Sequence, residues 1–239
     1  MAHITFDHIA IALPHLAAAP AVLVGELGGR PYFGMTSKFF RFGQWRFEGG
    51  GRIEILEPHG EEGFLHRFLA QHGPGIHHVT FKVPSLRQAC DRAEALGYGI
   101  VGYRDDLPDW KEAFLHPKQA MGIVVQLAQS TQQEDRIAWQ APAAPPNPPP
   151  PVTVLGLRLR ARDRERARMQ WEGVLQGTGA EDGDTLIYRW PDSPLRIAVE
   201  IDPEGKEGPI GIEYVGSRPT AAAHALRVLG AVFIERSAP

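Results

Sequence analysis

The chain has 239 residues, 43% of them hydrophobic, and a formal net charge of -3. This length allows one large domain or two modest ones, and the small charge gives no reason to expect nucleic acid or a membrane surface as a partner. No apolar run reaches the roughly 20 residues that span a bilayer, and the N-terminus lacks a secretory pattern. The single cysteine, Cys90, is expected to be a buried thiol in a reducing compartment, so we expect a cytoplasmic protein.

The first part of the chain predicts one strand, one helix and three further strands. The strands are predicted at 3–13, 30–34, 38–48 and 52–56, and the helix at about 15–27. In the first strand His8 alternates with the apolar residues Ile9 and Ile11, so it lies on the opposite face. In the last strand Glu54 lies between Ile53 and Ile55 in the same way.

The same order of elements then repeats. Strands are predicted at 76–83, 98–104, 112–116 and 122–127, and a helix at about 85–96. His78 lies on the polar face of the first of these strands, while His77 belongs to the apolar face. Gln126 lies opposite the apolar residues of the last strand. Both parts are therefore βαβββ modules, and this repeat is the strongest sign of organisation in the sequence.

The repeat also aligns four polar residues. His78 follows His8 by 70 residues, and Gln126 follows Glu54 by 72. Two modules related by a pseudo-twofold axis would bring these four positions together on the concave side of one eight-stranded sheet. Two imidazoles, a carboxylate and an amide oxygen suit one divalent metal, with Zn, Ni, Co, Mn, Mg and Fe not distinguished. Such a metal, with open positions, would polarise a carbonyl group or stabilise an enolate.

A proline-rich segment separates the two modules from a weaker third copy. Residues 141–151 are nearly all proline and alanine, a composition typical of an extended spacer. In the copy that follows, Gly156 stands at the position of His8 and Gly211 at that of His78, and Glu200 is expected near the position of Glu54. We therefore predict a metal-binding domain at 1–128, a linker at 129–151 and a degenerate, truncated domain at 152–239. The last domain would cover the open side of the first sheet or form an interface. A homodimer is one arrangement that the sequence allows.

Several motifs resemble those of the vicinal-oxygen-chelate superfamily, the glyoxalase, bleomycin-resistance and extradiol dioxygenase group, with methylmalonyl-CoA epimerases the most similar members. The motifs are Asp7-His8-Ile9-Ala10-Ile11-Ala12, Arg52-Ile53-Glu54-Ile55-Leu56-Glu57-Pro58, Gly75-Ile76-His77-His78-Val79-Thr80-Phe81 and Phe114-Leu115-His116-Pro117-Lys118. The resemblance implies an α+β fold in which paired βαβββ modules form a cupped mixed sheet, here followed by a degenerate copy. It also implies a metal held by His8, Glu54, His78 and the residue at position 126.

Two features depart from the epimerase pattern. The epimerases usually carry a glutamate at the position of Gln126, and an amide cannot act as a base. Epimerisation also needs a second acid or base, and Glu48 is the one carboxylate of the predicted strand at 38–48, close to the Gly49–Gly51 turn. Glu54 is then the candidate for a single base.

Charged residues near these positions are candidates for substrate binding. Arg52 and Lys82 share the predicted concave face and would bind an anion. His116 and Lys118 lie at a strand end next to Gln126, where surface exposure alone would also account for them. In a functional role His116 would shuttle a proton and Lys118 would hold a phosphate or carboxylate.

These observations favour a metal-dependent isomerase or lyase that acts beside a carbonyl of a small anionic or acyl-CoA substrate. One alternative is a non-catalytic binding protein of the same fold, which the intact His8, Glu54 and His78 disfavour. The other is an extradiol-type dioxygenase, which usually carries its glutamate in the last strand, where this chain has Gln126.

Overall fold

The computed structural model describes residues 3–131, 139–216 and 221–237, and its fold is α+β, as predicted. The first half contains the strands β1 (Thr5–Ala12), β2 (Arg30–Thr36), β3 (Phe40–Arg46), β4 (Arg52–Pro58), β5 (Gly75–Lys82), β6 (Ile100–Arg104), β7 (Trp110–Leu115) and β8 (Val124–Ser130), and the helices α1 (Pro20–Leu23), α2 (Phe64–His72) and α3 (Leu86–Ala95). The second half contains the strands β9 (Thr153–Ala161), β10 (Thr178–Asp182), β11 (Thr185–Arg189), β12 (Arg196–Ile201), β13 (Gly208–Val215) and β14 (Phe233–Glu235), and the helices α4 (Arg164–Arg168) and α5 (Ala221–Leu229).

The strand order confirms the repeated modules. The first sheet runs β2-β3-β4-β1-β5-β8-β7-β6, and the second runs β10-β11-β12-β9-β13-β14. In each complete module the first strand pairs in parallel with the last: β1 with β4, β5 with β8, and β9 with β12. The other pairings within these modules are antiparallel. Among the described residues, the last module of the degenerate copy has two strands, β13 and β14, with α5 between them in sequence.

Contacts divide the chain into two compact units. One comprises Met1–His8, His78–Gln132 and Gly156–Ile210, and the other Ile9–His77, Gln133–Leu155 and Gly211–Pro239. The core of the first unit includes an aromatic cluster in which Phe81 stacks on Phe6 at 4.8 Å and meets the edge of Trp190 at 4.7 Å. The second unit has a cluster of Ala10, Ala12, Leu56 and Leu65, with Phe40, Phe42, Phe68 and Leu69 packed against it. Burial of these large apolar groups is the main stabilising contribution in each unit.

The predicted first helix is broken. In place of one helix over 15–27, a 3-10 turn at Leu16–Ala18 precedes the four-residue α1, which starts at Pro20. Proline has no amide hydrogen and its ring clashes with the preceding turn, so it is tolerated at the first position of a helix but not in its interior. The predicted helix over 15–27 contains Pro20 in its interior, and this prediction was wrong.

The helix α2 and the strand β10 were not predicted from the sequence. In α2 the apolar residues Phe64, Leu65, Phe68 and Leu69 recur at helical spacing, a signal that was present in the sequence. The strand β10 is short and fully exposed, and it has no apolar alternation to reveal it. Within the described ranges, no helix has both the length and the apolar character needed to cross a bilayer.

Part of the predicted linker belongs to the second unit. Residues 132–138 lie outside the described residues, and 139–151 contain no helix or strand. The Trp139 ring meets the Trp45 ring edge-on, with 5.5 Å between centroids. A Cβ atom at Gly43 would lie 2.4 Å from the Trp139 ring, so this position requires glycine. The division into two domains and a linker remains a prediction.

Cys90 provides a direct test of core burial in α3. Its side chain is 3% exposed, and burial raises the pKa of the thiol to about 11. Because the thiolate is the reactive form, we expect the folded protein to react with iodoacetamide at pH 7.5 at least about 100-fold more slowly than the urea-unfolded protein. Mass spectrometry of timed samples measures both rates. Equal rates would show that Cys90 is open to solvent.

Candidate metal centre

Three of the predicted ligands lie together. His8 in β1, Glu54 in β4 and His78 in β5 each offer one ligand atom, and these atoms all lie within 4.8 Å of one another. All three side chains are buried, with exposed fractions of 3%, 6% and 6%. In the described part of the chain, no other group of three or more histidine, cysteine or acidic residues has this arrangement.

The donor set fits a divalent metal. With bonds of about 2.0–2.2 Å, ligand atoms around one ion lie about 3–4.4 Å apart, which the 4.8 Å limit accommodates. Two imidazoles and one carboxylate suit a first-row metal, and three protein ligands leave positions open for a substrate. The arrangement is therefore chemically able to hold a divalent metal.

Asp7 orients the first of these histidines. The Nδ1–H group of His8 donates to the Asp7 carboxylate, with 2.7 Å between Nδ1 and Oδ2. In this tautomer the lone pair lies on Nε2, which is the atom that a metal would take. Carboxylate partners of this kind fix the ring and raise the basicity of a ligating imidazole. Asp7 begins the motif that contains His8, but no role was predicted for it.

The amide of Gln126 is held by two hydrogen bonds. The Thr80 hydroxyl donates to Oε1 of Gln126 at 2.6 Å and lies 3.0 Å from Nε2 of His8. On the other side, Nε2 of Gln126 donates to Glu112 at 2.8 Å. A carboxylate only accepts hydrogen bonds, so Glu112 determines which end of the amide faces Thr80. The carbonyl oxygen of Gln126 therefore points towards Thr80 and the His8 ring.

Glu112 was not predicted as a site residue, although its carboxylate accepts three hydrogen bonds. Besides Gln126, the indole of Trp110 donates to it at 2.9 Å and Arg104 donates at 2.7 Å. The three donors come from three strands, β8, β7 and β6. A polar residue at alternate spacing in β7 was visible in the sequence, but its partners depend on the pairing of the three strands.

Replacing Glu112 with alanine is expected to reduce the free energy of unfolding by about 1–3 kcal/mol, because three donors lose their acceptor. Urea denaturation measures the change. Glu94→Ala, at an exposed position of α3, is the control and should change stability by less than about 0.5 kcal/mol. A Glu112 variant as stable as the control would contradict the role of Glu112 as the anchor of Gln126.

On the other side of the donor set, Gln44 fixes the Glu54 carboxylate. These residues are directly opposed on β3 and β4, and Nε2 of Gln44 donates to Oε2 of Glu54 at 2.9 Å. The Oε1 atom of Gln44 accepts from Arg52 at 3.2 Å, which sets the direction of this amide. Gln44 is 3% exposed. It belongs to the strand in which Glu48 had been the candidate acid or base, and it was not predicted.

The other predicted residues lie outside this group. Glu48 follows the end of β3, is exposed, and its backbone amide bonds to Val152. His116 and Lys118 are exposed after β7, where Nδ1 of His116 accepts from the backbone of Lys118 at 3.1 Å. The Lys82 amine lies 4.5 Å above the Trp110 ring. Their functional roles remain predictions.

His77, the first histidine of the pair His77-His78, has a different environment from His78. The His77 ring lies 5.3 Å from the Phe64 ring and 4.8 Å from the Phe68 ring. Burial lowers the pKa of His77 to about 4, although Glu54 acts in the opposite direction. His77 is therefore neutral at pH 7 and packs as part of an aromatic cluster, consistent with its assignment to the apolar face.

The degenerate copy lacks the ligands. The register pairs Gly156 with Arg196 and Arg160 with Glu200. If Gly156 corresponds to His8, the counterpart of Glu54 is Ala198, two residues before Glu200. Glu200 instead forms an ion pair with Arg160 at 3.0 Å. The expectation that Glu200 stands near the position of Glu54 is corrected by this register.

Comparison with known proteins connects the fold to a family. The model of the Glyoxalase/Bleomycin resistance protein/Dioxygenase superfamily matches residues 7–114. An ethylmalonyl-CoA/methylmalonyl-CoA epimerase from Cereibacter sphaeroides is 31% identical over 134 residues, which cover 52% of this chain and 96% of that protein. The match to the family model lies in the first half, where His8, Glu54 and His78 are found.

Two solved structures extend the comparison of the fold. A hypothetical protein from Bacillus halodurans is 25% identical, with a TM-score of 0.50, and the match covers 54% of this chain and 96% of that one. A mutant of 4-hydroxymandelate synthase from Streptomyces coelicolor is 15% identical, with a TM-score of 0.62, and the match covers 96% of this chain and 75% of that one. The second match includes the degenerate copy, and at this identity it shows the fold alone.

Proposed function

The chain belongs to the glyoxalase/bleomycin resistance protein/dioxygenase superfamily, and we propose that it is a divalent-metal-dependent isomerase or lyase. The substrate we propose is a small anionic compound or an acyl-CoA, with the reacting carbon next to a carbonyl group. The residues at 1–128 would carry the reaction. Those at 152–239, with glycine in place of both histidines, would have a structural role.

The observation that carries this proposal is the buried group of His8, Glu54 and His78. We propose that these three side chains, with the carbonyl oxygen of Gln126, hold the metal. A bound divalent metal supplies Lewis acidity, which polarises a carbonyl group and favours loss of a proton from the neighbouring carbon. Asp7 keeps His8 in the ligating tautomer, and Glu112 keeps the Gln126 oxygen turned inward.

The proton itself would be moved by Glu54. The amide of Gln126 and the hydroxyl of Thr80 cannot serve as bases at neutral pH. Asp7 is occupied by the His8 ring, and Glu112 accepts three hydrogen bonds. Glu54, which accepts a hydrogen bond from Gln44, is the acidic residue that lies together with the two histidines, and this position makes it our candidate. Glu48 and His116 would need to approach from exposed positions, so we rank them below Glu54.

The choice of substrate follows the similar protein from Cereibacter sphaeroides, which is named for ethylmalonyl-CoA and methylmalonyl-CoA.

The test is deuterium exchange: the protein is loaded in turn with Zn, Ni, Co, Mn, Mg or Fe and incubated with methylmalonyl-CoA in D2O. Mass spectrometry follows deuterium at the carbon between the two carbonyl groups. Exchange that exceeds the rate with metal-stripped protein supports the proposal. Exchange at the stripped rate with every metal would leave a binding protein of the same fold.

A second candidate is an Fe(II)-dependent dioxygenase. Two histidines and one carboxylate are the donor set of many non-haem iron oxygenases, and His8, Glu54 and His78 have this composition. The carboxylate here lies in β4 and not in the last strand, where the pattern of extradiol enzymes would place it. Oxygen uptake by the Fe(II)-loaded protein with a catechol would favour this candidate over the isomerase.

A further inference from the structure

Three arginines form a row across the outer strands of the first sheet. Arg30 in β2 is directly opposite Arg46 in β3, which is directly opposite Arg52 in β4. Residues paired in this way point to the same face of the sheet. We call Arg30, Arg46 and Arg52 the arginine row.

The arginine row is unfavourable for folding by itself. Like charges directly opposite one another on paired strands destabilise a sheet. Elsewhere on β3 and β4 the opposed charges are complementary: Arg41 is opposite Glu57 and forms an ion pair with it at 3.1 Å. In the described part of the chain, no carboxylate lies within ion-pair distance of Arg30 or Arg46.

Tyr32 holds two of the guanidinium groups in place. It is the additional residue of a bulge in β2, between the pairs Pro31–Trp45 and Phe33–Gln44. The guanidinium carbon of Arg46 lies 3.9 Å from the centre of the Tyr32 ring, and that of Arg52 lies 5.3 Å from it. A guanidinium that stacks on a ring uses its face, so the in-plane N–H donors of Arg46 remain able to bind an oxyanion.

The arginine row adjoins the candidate metal centre along β3 and β4. Arg46 and Arg52 are the pair next to Gln44 and Glu54 on the same face, and Arg52 donates to Gln44 at 3.2 Å. Two residues along a strand correspond to about 7 Å. A group bound at the arginine row would therefore lie about this far along the strand from Glu54.

We propose that the arginine row and Tyr32 bind a dianionic oxyanion group of the ligand, either a phosphate or a dicarboxylate. Several guanidinium groups on one face match a doubly charged group with several acceptor oxygens. The proposal of an anion site rests on the positions of the three arginines and Tyr32. The further step, that this group belongs to the substrate and lies beside its reacting carbon, rests on the proposed function.

The test uses the full chain after removal of metals with EDTA. Its thermal midpoint is measured in chloride, phosphate and malonate at equal ionic strength, for the wild type, Arg46→Gln and the control Arg41→Gln. We expect phosphate or malonate to raise the midpoint of the wild type and the control by about 2–4 °C more than that of Arg46→Gln. Calorimetric titration should show a loss of affinity of at least about tenfold in Arg46→Gln.

A second readout separates this role from a structural one. In chloride, Arg46→Gln should be at least as stable as the wild type, because one source of like-charge repulsion is gone. An effect of phosphate alone assigns a phosphate ligand, and an effect of malonate alone assigns a dicarboxylate. Equal shifts in the wild type and Arg46→Gln, or no shift in the wild type, would overturn the proposal.

The outcome is independent of the proposed enzyme activity. An anion effect in the metal-free protein without deuterium exchange in the metal-loaded protein would leave the anion site and remove the enzyme function. Deuterium exchange without an anion effect would support the enzyme function and remove the anion site.

Discussion

Replacing both His8 and His78 with alanine is expected to reduce bound metal from about one equivalent per chain to a background level. The double substitution removes two of the three donors that lie within 4.8 Å of one another. Loss of a single residue that hydrogen-bonds to a metal ligand already costs about 10–100-fold in metal affinity, so the loss of two ligands should cost more. Metal content is measured by inductively coupled plasma mass spectrometry on protein purified without a His tag and reconstituted with each metal.

His77→Phe is the matched control for this experiment. His77 is adjacent to His78 in sequence, but its ring packs against Phe64 and Phe68. Its pKa of about 4 keeps it neutral, so a phenyl ring can replace it in the same aromatic environment. The control should retain wild-type metal content. Metal that persists in the double variant, or a wild type that takes up no metal on reconstitution, would exclude the proposed centre.

The repeated modules could be predicted because the first and last strands of each module have a clear apolar face. Alternation alone assigned His8, Glu54 and His78 to the polar face, and the repeat related His8 to His78. In the structure the first and last strands of each of these two modules pair in parallel, which brings the aligned positions onto adjacent strands. This much follows from a period of two residues and from the presence of two copies.

The partners of these residues could not be predicted in the same way. The contact of Gln126 with Glu112 and the pairing of Gln44 with Glu54 depend on the register between strands. Register is determined by turns and bulges, such as the bulge at Tyr32, that local alternation does not reveal. The arginine row was hidden for the same reason, because the register of three strands brings its members opposite one another.

Glu48 shows how the register affects the assignment of function. It is the one carboxylate of the strand predicted at 38–48, and it had been the candidate second acid or base. In the structure β3 ends at Arg46, and Glu48 is exposed beyond it. The position in β3 that faces Glu54 belongs to Gln44. An amide at this position orients the carboxylate but cannot take up a proton, which favours a single base.

Glu54→Gln is expected to reduce deuterium exchange into methylmalonyl-CoA by about 10²–10⁴-fold, the usual contribution of a general base. The substitution should also weaken metal binding, for a reason that lies in Gln44. Arg52 fixes the Gln44 amide so that it donates towards position 54. The new amide must accept this bond with its oxygen, so its NH2 group faces the metal, and an NH2 group is not a ligand.

The double variant Gln44→Glu, Glu54→Gln separates the two roles of Glu54. A glutamate at position 44 accepts hydrogen bonds from both Arg52 and the new amide, so the amide oxygen at position 54 can turn towards the metal. We therefore expect metal content to return to the wild-type level while exchange stays low, and Glu57→Gln serves as a control for loss of a carboxylate from β4. Exchange at the wild-type rate in Glu54→Gln would contradict the assignment of the base. Exchange that returns with the metal in the double variant would show that proton transfer does not require a carboxylate at position 54.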